Sequence, residues 1–223
     1  VRSRNFAPDM LLGKSRTLGD SGVVTDRLRG FLSSNSNSSP SLFPALTNAE
    51  ANQYPDEYNV NNNSFTDGGY YNNYSLVKYA WKRAPSYMDC VAYLGNSTAG
   101  RTVSHNLGVA PEMMWIKGRS AAYDWVVYHK AIGNSKILNL NESVAAYTQA
   151  NFNNTDPTSS VFTVGSIAGT NASSQTFIAY LFATLAGISK VGSYTGNGTS
   201  QTIDCGFTSG ARFVLLKRTD SAG

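Results

Sequence analysis

The stretch Pro111-Glu-Met-Met-Trp-Ile-Lys-Gly-Arg119 decides the fold, because a turn-forming proline is followed by an unbroken apolar run. The run Met113–Ile116 predicts a short strand that is buried on both faces. The same phrase occurs earlier as Pro8-Asp-Met-Leu-Leu-Gly-Lys-Ser-Arg16 and returns, shortened, as Arg212-Phe-Val-Leu-Leu-Lys217. The chain therefore repeats itself about every hundred residues.

Three further phrases recur in the same order, 97 to 101 residues apart. They are Phe65–Gly68 with Phe162–Gly165, Leu76–Trp81 with Phe177–Phe182, and Tyr93–Asn96 with Tyr194–Asn197. This period is too long for a solenoid, whose repeats run about 20–50 residues. It predicts a tandem array of small domains, which usually builds or extends something rather than catalyses. We expect a first, N-terminally truncated repeat at 1–84, a complete second repeat at 85–186 and a C-terminally truncated third repeat at 187–223.

Composition and strand spacing favour an all-β fold. Of 223 residues, 41% are hydrophobic and only 14% are charged, and β-branched and aromatic residues alternate with Gly, Asn and Ser. About seven strands in about a hundred residues, with turn signals every 8–12 residues, are typical of a β-sandwich. The expected strands of the middle repeat are 90–94 and 101–105 as a hairpin, 113–116, 124–128, 136–141, 160–164 and 176–182, and 142–149 is expected to be a short helix or a loop.

Motifs that suggest catalysis lack their partners. Gly19-Asp20-Ser21-Gly22 copies the nucleophile signature of trypsin-like proteases, but both histidines, His105 and His129, lie downstream in another repeat. A glycine-rich hairpin loop explains the motif better. Apart from Asp9 and Glu112, which follow the recurring proline, no acidic position recurs between the copies, so the sequence predicts no catalytic residue and no enzyme activity.

Metal and cofactor motifs are equally incomplete. His105 and His129 are too few for a zinc site, and the group Asn153, Asn154 and Asp156 does not recur as a calcium loop would. Gly192, Gly196 and Gly198 miss the dinucleotide spacing and are assigned to turns. We expect no metal and no cofactor, and the ligand-binding residues are left unassigned.

Charge and cysteine usage narrow the partners further. The net charge of +4 comes without a basic run, which argues against nucleic acid, and no apolar run is long enough to span a membrane. Cys90 and Cys205 fall at different points of their repeats, so we expect isolated buried thiols rather than an architectural disulfide.

One polar feature does recur, a basic pair at the end of the apolar run. The pairs are Lys14 with Arg16, Lys117 with Arg119, and Lys217 with Arg218. They are expected to cap a strand end and to pair with a loop acid such as Asp26 or Asp124. The alternative is an anion-binding row for an acidic surface polysaccharide. The loop tyrosines Tyr70, Tyr71 and Tyr74 could stack on sugar rings or pack against a strand edge.

These phrases resemble a tandem domain found in tail-fibre and other virion structural proteins of tailed phages, especially phages of aquatic bacteria and cyanobacteria. The likeness covers the middle copy fully and the others in part, and Gly118 stands where that family usually has Asn. It implies a jelly-roll or lectin-like sandwich, a location on the virion surface and homo-oligomeric assembly, for which a trimer is one arrangement.

Three functional hypotheses follow. The first is a tail fibre or fibre-like appendage that adheres to a host surface glycan. The second is a capsid or tail decoration or connector protein, whose partners are other virion subunits. The third is a polysaccharide-degrading tailspike, which would need a cluster of carboxylates on one face of the fold.

Overall fold

The computed structural model describes residues 2–3, 6–31, 39–53, 59–60, 64–66 and 74–222. The described residues are mostly β-strands in antiparallel sheets, with one short helix, α1 (Ala168–Asn171), and 3-10 turns at Lys130–Ile132 and Ala150–Phe152. The all-β expectation is thus confirmed. The strands are β1 (Arg2–Ser3), β2 (Met10–Ser15), β3 (Val23–Asp26), β4 (Ser39–Ser41), β5 (Ala51–Gln53), β6 (Asn59–Val60), β7 (Ser64–Thr66), β8 (Leu76–Trp81), β9 (Met88–Leu94), β10 (Arg101–Ser104), β11 (Met113–Gly118), β12 (Val126–His129), β13 (Lys136–Asn139), β14 (Tyr147–Thr148), β15 (Val161–Val164) and β16 (Thr176–Phe182).

The largest sheet has six strands in the order β14-β13-β12-β11-β16-β9, and every neighbouring pair is antiparallel. β11 lies in the middle, between β12 and β16, as its apolar run predicts. Met114 and Ile116 point to one face of the sheet and Trp115 to the other, and all three are buried. A strand with apolar residues on both faces needs a covering layer on each side.

One covering layer is the two-stranded sheet of β10 and β15. Between it and the six-stranded sheet lies a core of aliphatic and aromatic side chains. The buried members of this core are Val103, Leu107, Met114, Ile116, Val126, Tyr128, Ile137, Phe152, Phe162, Val164, Phe177, Ala179, Leu181 and Ala183.

The expected hairpin of 90–94 with 101–105 is wrong. β9 pairs with β16, and β10 pairs with β15 in the other layer. The connection between β9 and β10 crosses from one layer to the other, because its amides bond elsewhere: Gly95 N donates to Gln175 O and Ser97 N donates to Asn171 O. Gly95 permits this approach, since a Cβ there would lie 2.0 Å from the carbonyl oxygen of Ala172.

Segment 142–149 is a loop that ends in β14, which is one of the two forms expected for it. Segment 212–217 repeats the apolar run of β11 but forms no strand among the described residues. β11 has ladder partners on both edges, whereas Phe213 is held by ring contacts, at 4.9 Å from Tyr79 and 5.2 Å from Trp81. An apolar run without a ladder partner cannot satisfy its backbone groups as a strand.

The first part of the chain has a sheet of the same order. β3, β2 and β8 form one sheet, and a bridge between Val24 and Leu42 links β3 to the β4–β5 pair. The resulting order β5-β4-β3-β2-β8 corresponds to β14-β13-β12-β11-β16. The register is also the same, because Met10 lies opposite Trp81 as Met113 lies opposite Phe182.

Smaller features recur at the positions that the phrases align. β1 pairs antiparallel with β7, as β10 does with β15. In each pair the later strand carries the phenylalanine of the recurring Phe-Thr phrase, Phe65 in β7 and Phe162 in β15. A tight turn closed by a bridge from Ala84 to Met88 returns as a bridge from Leu185 to Ser189. Each turn contains a residue with positive φ, Ser86 at 61° and Gly187 at 74°.

The two similar sheets turn corresponding faces toward one shared core, which we name the central cluster. Met10 and Val24 of the first sheet belong to it, and so do Trp115 and Val127 of the second. Its buried members are Met10, Val24, Leu42, Trp81, Met88, Cys90, Trp115, Trp125, Val127, Leu138, Ile178, Tyr180 and Phe182. The six-stranded sheet is therefore covered on both faces.

Candidate functional site

A buried polar bridge crosses the central cluster. The Asp26 carboxylate accepts from Nε of Arg29 at 2.5 Å and from the Tyr180 hydroxyl at 2.5 Å, and neither Asp26 nor the Arg29 side chain is exposed. Burial raises the pKa of the Tyr180 hydroxyl well above its usual value, so the hydroxyl stays protonated and donates. The bridge joins Asp26 to Tyr180, 154 positions further along the chain, and the charges of Asp26 and Arg29 neutralise each other.

Arg29 extends this bridge toward the surface. Its Nη2 donates to Val24 O, and its Nη1 donates to Pro40 O and to the Glu50 carboxylate, which Arg119 also binds at 2.9 and 3.0 Å. Burial acts to raise the pKa of Glu50, but the hydrogen bonds from Arg119 and the charge of Arg29 outweigh it and lower the pKa. This network fixes the loop 43–50 against the second sheet.

Lys117 also holds loop 43–50 in place. Its side chain is 0% exposed, and Nζ donates to Thr47 O at 2.8 Å and to Tyr123 O at 2.6 Å. The matching Lys14 donates to Asp20, and both lysines reach the carbonyl six residues further along. The loop-acid pairing therefore holds for Lys14, with Asp20 in place of Asp26, but Lys117 binds two carbonyls instead.

Neither Lys117 nor Arg119 is available for an anion-binding row. Lys117 is fully buried and Arg119 is paired with Glu50. Lys217, at the corresponding position of the terminal segment, donates to Glu142 O. The structure thus gives the recurring lysines a role in holding loops.

Burial lowers the pKa of Lys117 to about 8, although the charge of Asp124 acts in the opposite direction. The unfolded chain therefore binds more protons than the folded chain between about pH 8 and 10.5, so the unfolding free energy should rise with pH in this window. We expect it to rise about 1–2 kcal/mol more for the native chain than for Lys117→Met, measured by urea denaturation at pH 7.5 and 9.5. Parallel pH profiles for the two proteins would contradict this prediction.

A cavity of about 320 Å³ lies where loop 43–50 meets the six-stranded sheet. Thr47 and Tyr123, whose carbonyls bind Lys117, are among its lining residues. It lies beside the paired residues Val126 and Asn139 of β12 and β13. Its lining comes from five separate stretches of the chain. The lining residues are Thr47, Ala122, Tyr123, Asp124, Val126, Asn139, Tyr147, Gln149, Asn151, Ile167 and Gly169.

The cavity is rich in amides and hydroxyls that the surrounding structure holds in place. Nδ2 of Asn139 donates to the Tyr147 hydroxyl at 3.2 Å, and the Asp124 carboxylate accepts from Asn141 at 2.8 Å. Asn151 is 0% exposed, and its Oδ1 has no hydrogen-bond partner among the described residues. A buried amide oxygen without a partner is rare, because it forfeits the hydrogen bond it would make in water.

The residues that the sequence singled out for chemistry lie apart. Nδ1 of His105 accepts from Leu107 N, and Nδ1 of His129 accepts from Ala131 N. Gly19–Gly22 forms the loop between β2 and β3, as expected, with Asp20 bound to Lys14. Asp156 accepts from the side chains of Asn134 and Tyr128 rather than facing other acids.

Acidic side chains that come together in the described part do so around arginines. Asp9 and Asp89 lie 3.5 and 3.8 Å from Arg83, and Asp26 and Glu50 share Arg29. Within the described ranges, no three His, Cys, Asp or Glu residues group as metal ligands would, and no helix is long and apolar enough to cross a membrane.

Both cysteines are free. Cys90 is buried in β9, and burial raises the pKa of its thiol well above the usual value, while Cys205 is half-buried. Of the loop tyrosines, Tyr74 is exposed, and Tyr70 and Tyr71 fall outside the described residues.

Residues 1–223 match one family model from end to end, through both sheets and the terminal segment. Its description is a domain of unknown function, DUF7483. The chain belongs to the DUF7483 family. No curated protein and no solved structure matches the DUF7483 chain.

The cavity of the DUF7483 chain was not predicted from the sequence. Its polar residues, among them Asn139, Tyr147 and Asn151, carry no motif and do not recur with the repeat. One difference between the two similar sheets was a usable signal. Leu42 lies opposite Val24 as Leu138 lies opposite Val127, so Asn139 stands in the six-stranded sheet at the position of the buried Phe43. A polar residue that replaces an apolar one at a buried repeat position indicates a local specialisation.

Proposed function

We propose that the DUF7483 chain is a structural component of a phage virion, a tail fibre or fibre-like appendage that adheres to the host surface. One observation carries the proposal: two sheets of the same strand order and register turn corresponding faces into one central cluster. Two sheets that pack on one shared core form a rigid body, which supports an architectural role. The resemblance of the recurring phrases to phage virion proteins supports a location on the virion.

Within this proposal each repeat of about a hundred residues is a jelly-roll or lectin-like sandwich. The layer of β10 and β15 over the six-stranded sheet supports a sandwich for residues 85–186. Matching pairings of β1 with β7 and of β2 with β8 support a related unit for residues 1–84. Residues 187–223 would begin a third, because their turn at Leu185–Ser189 copies that at Ala84–Met88.

Contacts with other virion subunits, including further copies of the chain, are supported by the terminal segment. Val214 and Leu216 are 65% and 68% exposed, whereas Met114 and Ile116, at the corresponding positions of the recurring phrase, are buried. Apolar side chains exposed in a row favour a partner surface.

Binding of the fluorescently labelled chain to host cells tests adhesion directly. Adhesion predicts saturable binding that the unlabelled chain displaces and that cells resistant to phage adsorption lack. Equal binding to sensitive and resistant cells, or none with a folded chain, would contradict it.

The architectural alternative, a capsid or tail decoration or connector protein, is favoured by the same exposed residues Val214 and Leu216. It predicts that antibodies against the chain label the particle without reducing adsorption.

A polysaccharide-degrading tailspike has less support, because the neighbouring carboxylates Asp26 and Glu50 are neutralised by Arg29. Release of reducing sugar from host polysaccharide would restore it.

A further inference from the structure

We infer that the cavity beside Tyr147 and Asn151 binds one ring of a neutral sugar, which would be the contact point for the adhesion proposed above and rests on that proposal. The cavity is distinct from the polar bridge, because its lining residues include neither Arg29 nor Tyr180. It has the size, the polar groups, the rigidity and the charge that such a ligand requires, as the following observations indicate.

Size favours a single ring. Ligand pockets in proteins run from about 300 to 1,000 Å³, and this cavity, at about 320 Å³, lies at the lower end. Gly169 helps to keep the space open: a Cβ there would sit 3.4 Å from Val126 Cγ2 and 3.7 Å from Asn151 Nδ2, in the volume between two lining residues. A monosaccharide unit fits this space, whereas a longer glycan would have to extend outward.

Partly exposed polar side chains supply the hydrogen-bonding groups. Asp124, Tyr147 and Gln149 line the cavity and are not fully buried, so their carboxylate, hydroxyl and amide are open to a ligand. Carboxylate and amide oxygens accept from sugar hydroxyls, and the amide NH₂ donates to them.

The walls are held in place before any ligand enters. Lys117 joins the carbonyls of two lining residues, Thr47 of loop 43–50 and Tyr123 of the loop after β11. Trp125 Nε1 donates to Phe43 O at 2.9 Å and anchors the same loop. Gly118 lets the Tyr123 ring pack closely, since a Cβ there would lie 2.5 Å from Tyr123 Cδ2. A rigid pocket avoids the ordering cost that weakens binding.

Charge and aromatic character select the ligand class. Asp124 is the one carboxylate among the lining residues, and the lining contains no Lys, Arg or His, so an anionic sugar would meet a like charge, whereas neutral hydroxyls can donate to the carboxylate. Tyr147 is 37% exposed and lines the cavity, where its ring can pack on the apolar face of a sugar. Amide and carboxylate acceptors next to a tyrosine match a neutral pyranose and disfavour an acidic polysaccharide.

Calorimetry with a panel of methyl glycosides of glucose, galactose, mannose and N-acetylglucosamine tests this inference, with glucuronic acid as the charged comparator. At least one neutral glycoside should bind saturably and more tightly than glucuronic acid. Gly169→Ala and Tyr147→Ala should each weaken that binding about tenfold or more. Gly196→Ala, at a glycine whose added Cβ would meet nothing within 4 Å, is the matched control and should bind within about threefold of the native chain. Tyr147→Phe keeps the ring and should weaken binding less than Tyr147→Ala.

The outcomes separate the cavity from the adhesion proposal. Tighter binding of glucuronic acid, no binding of any neutral glycoside, or binding that Gly169→Ala and Tyr147→Ala leave unchanged would overturn the sugar site. If cell binding by the labelled chain persists in those cases, adhesion stands and uses another surface. If a neutral glycoside binds as expected but the chain does not bind host cells, the site stands and the adhesion proposal fails.

Discussion

Replacing Arg29 by methionine is expected to destabilise the chain by about 3–5 kcal/mol. Arg29 neutralises Asp26 inside the protein and also donates to Val24 O and Pro40 O. Removal of one partner leaves a buried carboxylate uncompensated, which is the most costly way to break an ion pair. Urea denaturation at neutral pH measures the loss as a lower transition midpoint.

A triple variant distinguishes the cost of an orphaned charge from lost packing. Asp26→Leu, Arg29→Met and Tyr180→Phe together remove every charge of the buried bridge, so much of the stability lost in Arg29→Met should return. A single variant less than about 1 kcal/mol below the native chain would show that Asp26 is hydrated, which contradicts the buried bridge.

Replacing Trp125 by alanine has an expected cost of similar size, about 3–5 kcal/mol. Trp125 is fully buried in the central cluster, its ring lies 6.3 Å from that of Tyr180, and its Nε1 donates to Phe43 O. The substitution removes a large volume between the two sheets and one of the bonds that hold loop 43–50. Thermal and urea unfolding should both show the loss.

Trp125→Phe is the matched control. It keeps most of the apolar volume and removes one of the two donors to Phe43 O, which still accepts from Leu46 N, so a loss of about 0.5–1.5 kcal/mol is expected. Equal losses for the alanine and phenylalanine variants would mean that the hydrogen bond, and not packing between the sheets, accounts for the role of Trp125.

Local patterns predicted the strands well. The apolar run 113–116 predicted β11 and its central position, and the phrase Thr176–Phe182 coincides with β16. The recurrence of these phrases has a structural counterpart, because β2 pairs with β8 in the same register as β11 with β16. Packing patterns of this kind depend on residues close in sequence, which is why one chain suffices to interpret them.

The way the strands divide between the two layers could not be predicted in this manner, and neither could the cavity. The hairpin expected for β9 and β10 failed because the amides of the connection bond to residues near 171–175, which nothing in the local sequence indicates. The cavity combines Thr47, Asn139 and Gly169, which the fold brings together from distant positions. Lys117 was expected to meet a loop acid, but the position of loop 43–50 gave it carbonyl partners instead.

Adsorption competition tests the central claim, adhesion to the host, most directly. Purified chain is added to host cells before challenge with the phage, and the adsorbed fraction is measured against chain concentration. The account predicts a concentration-dependent drop in adsorption with the native chain and no drop with an equal mass of unfolded chain. Unchanged adsorption with a folded, correctly assembled chain would contradict adhesion and assign the chain to scaffold or decoration.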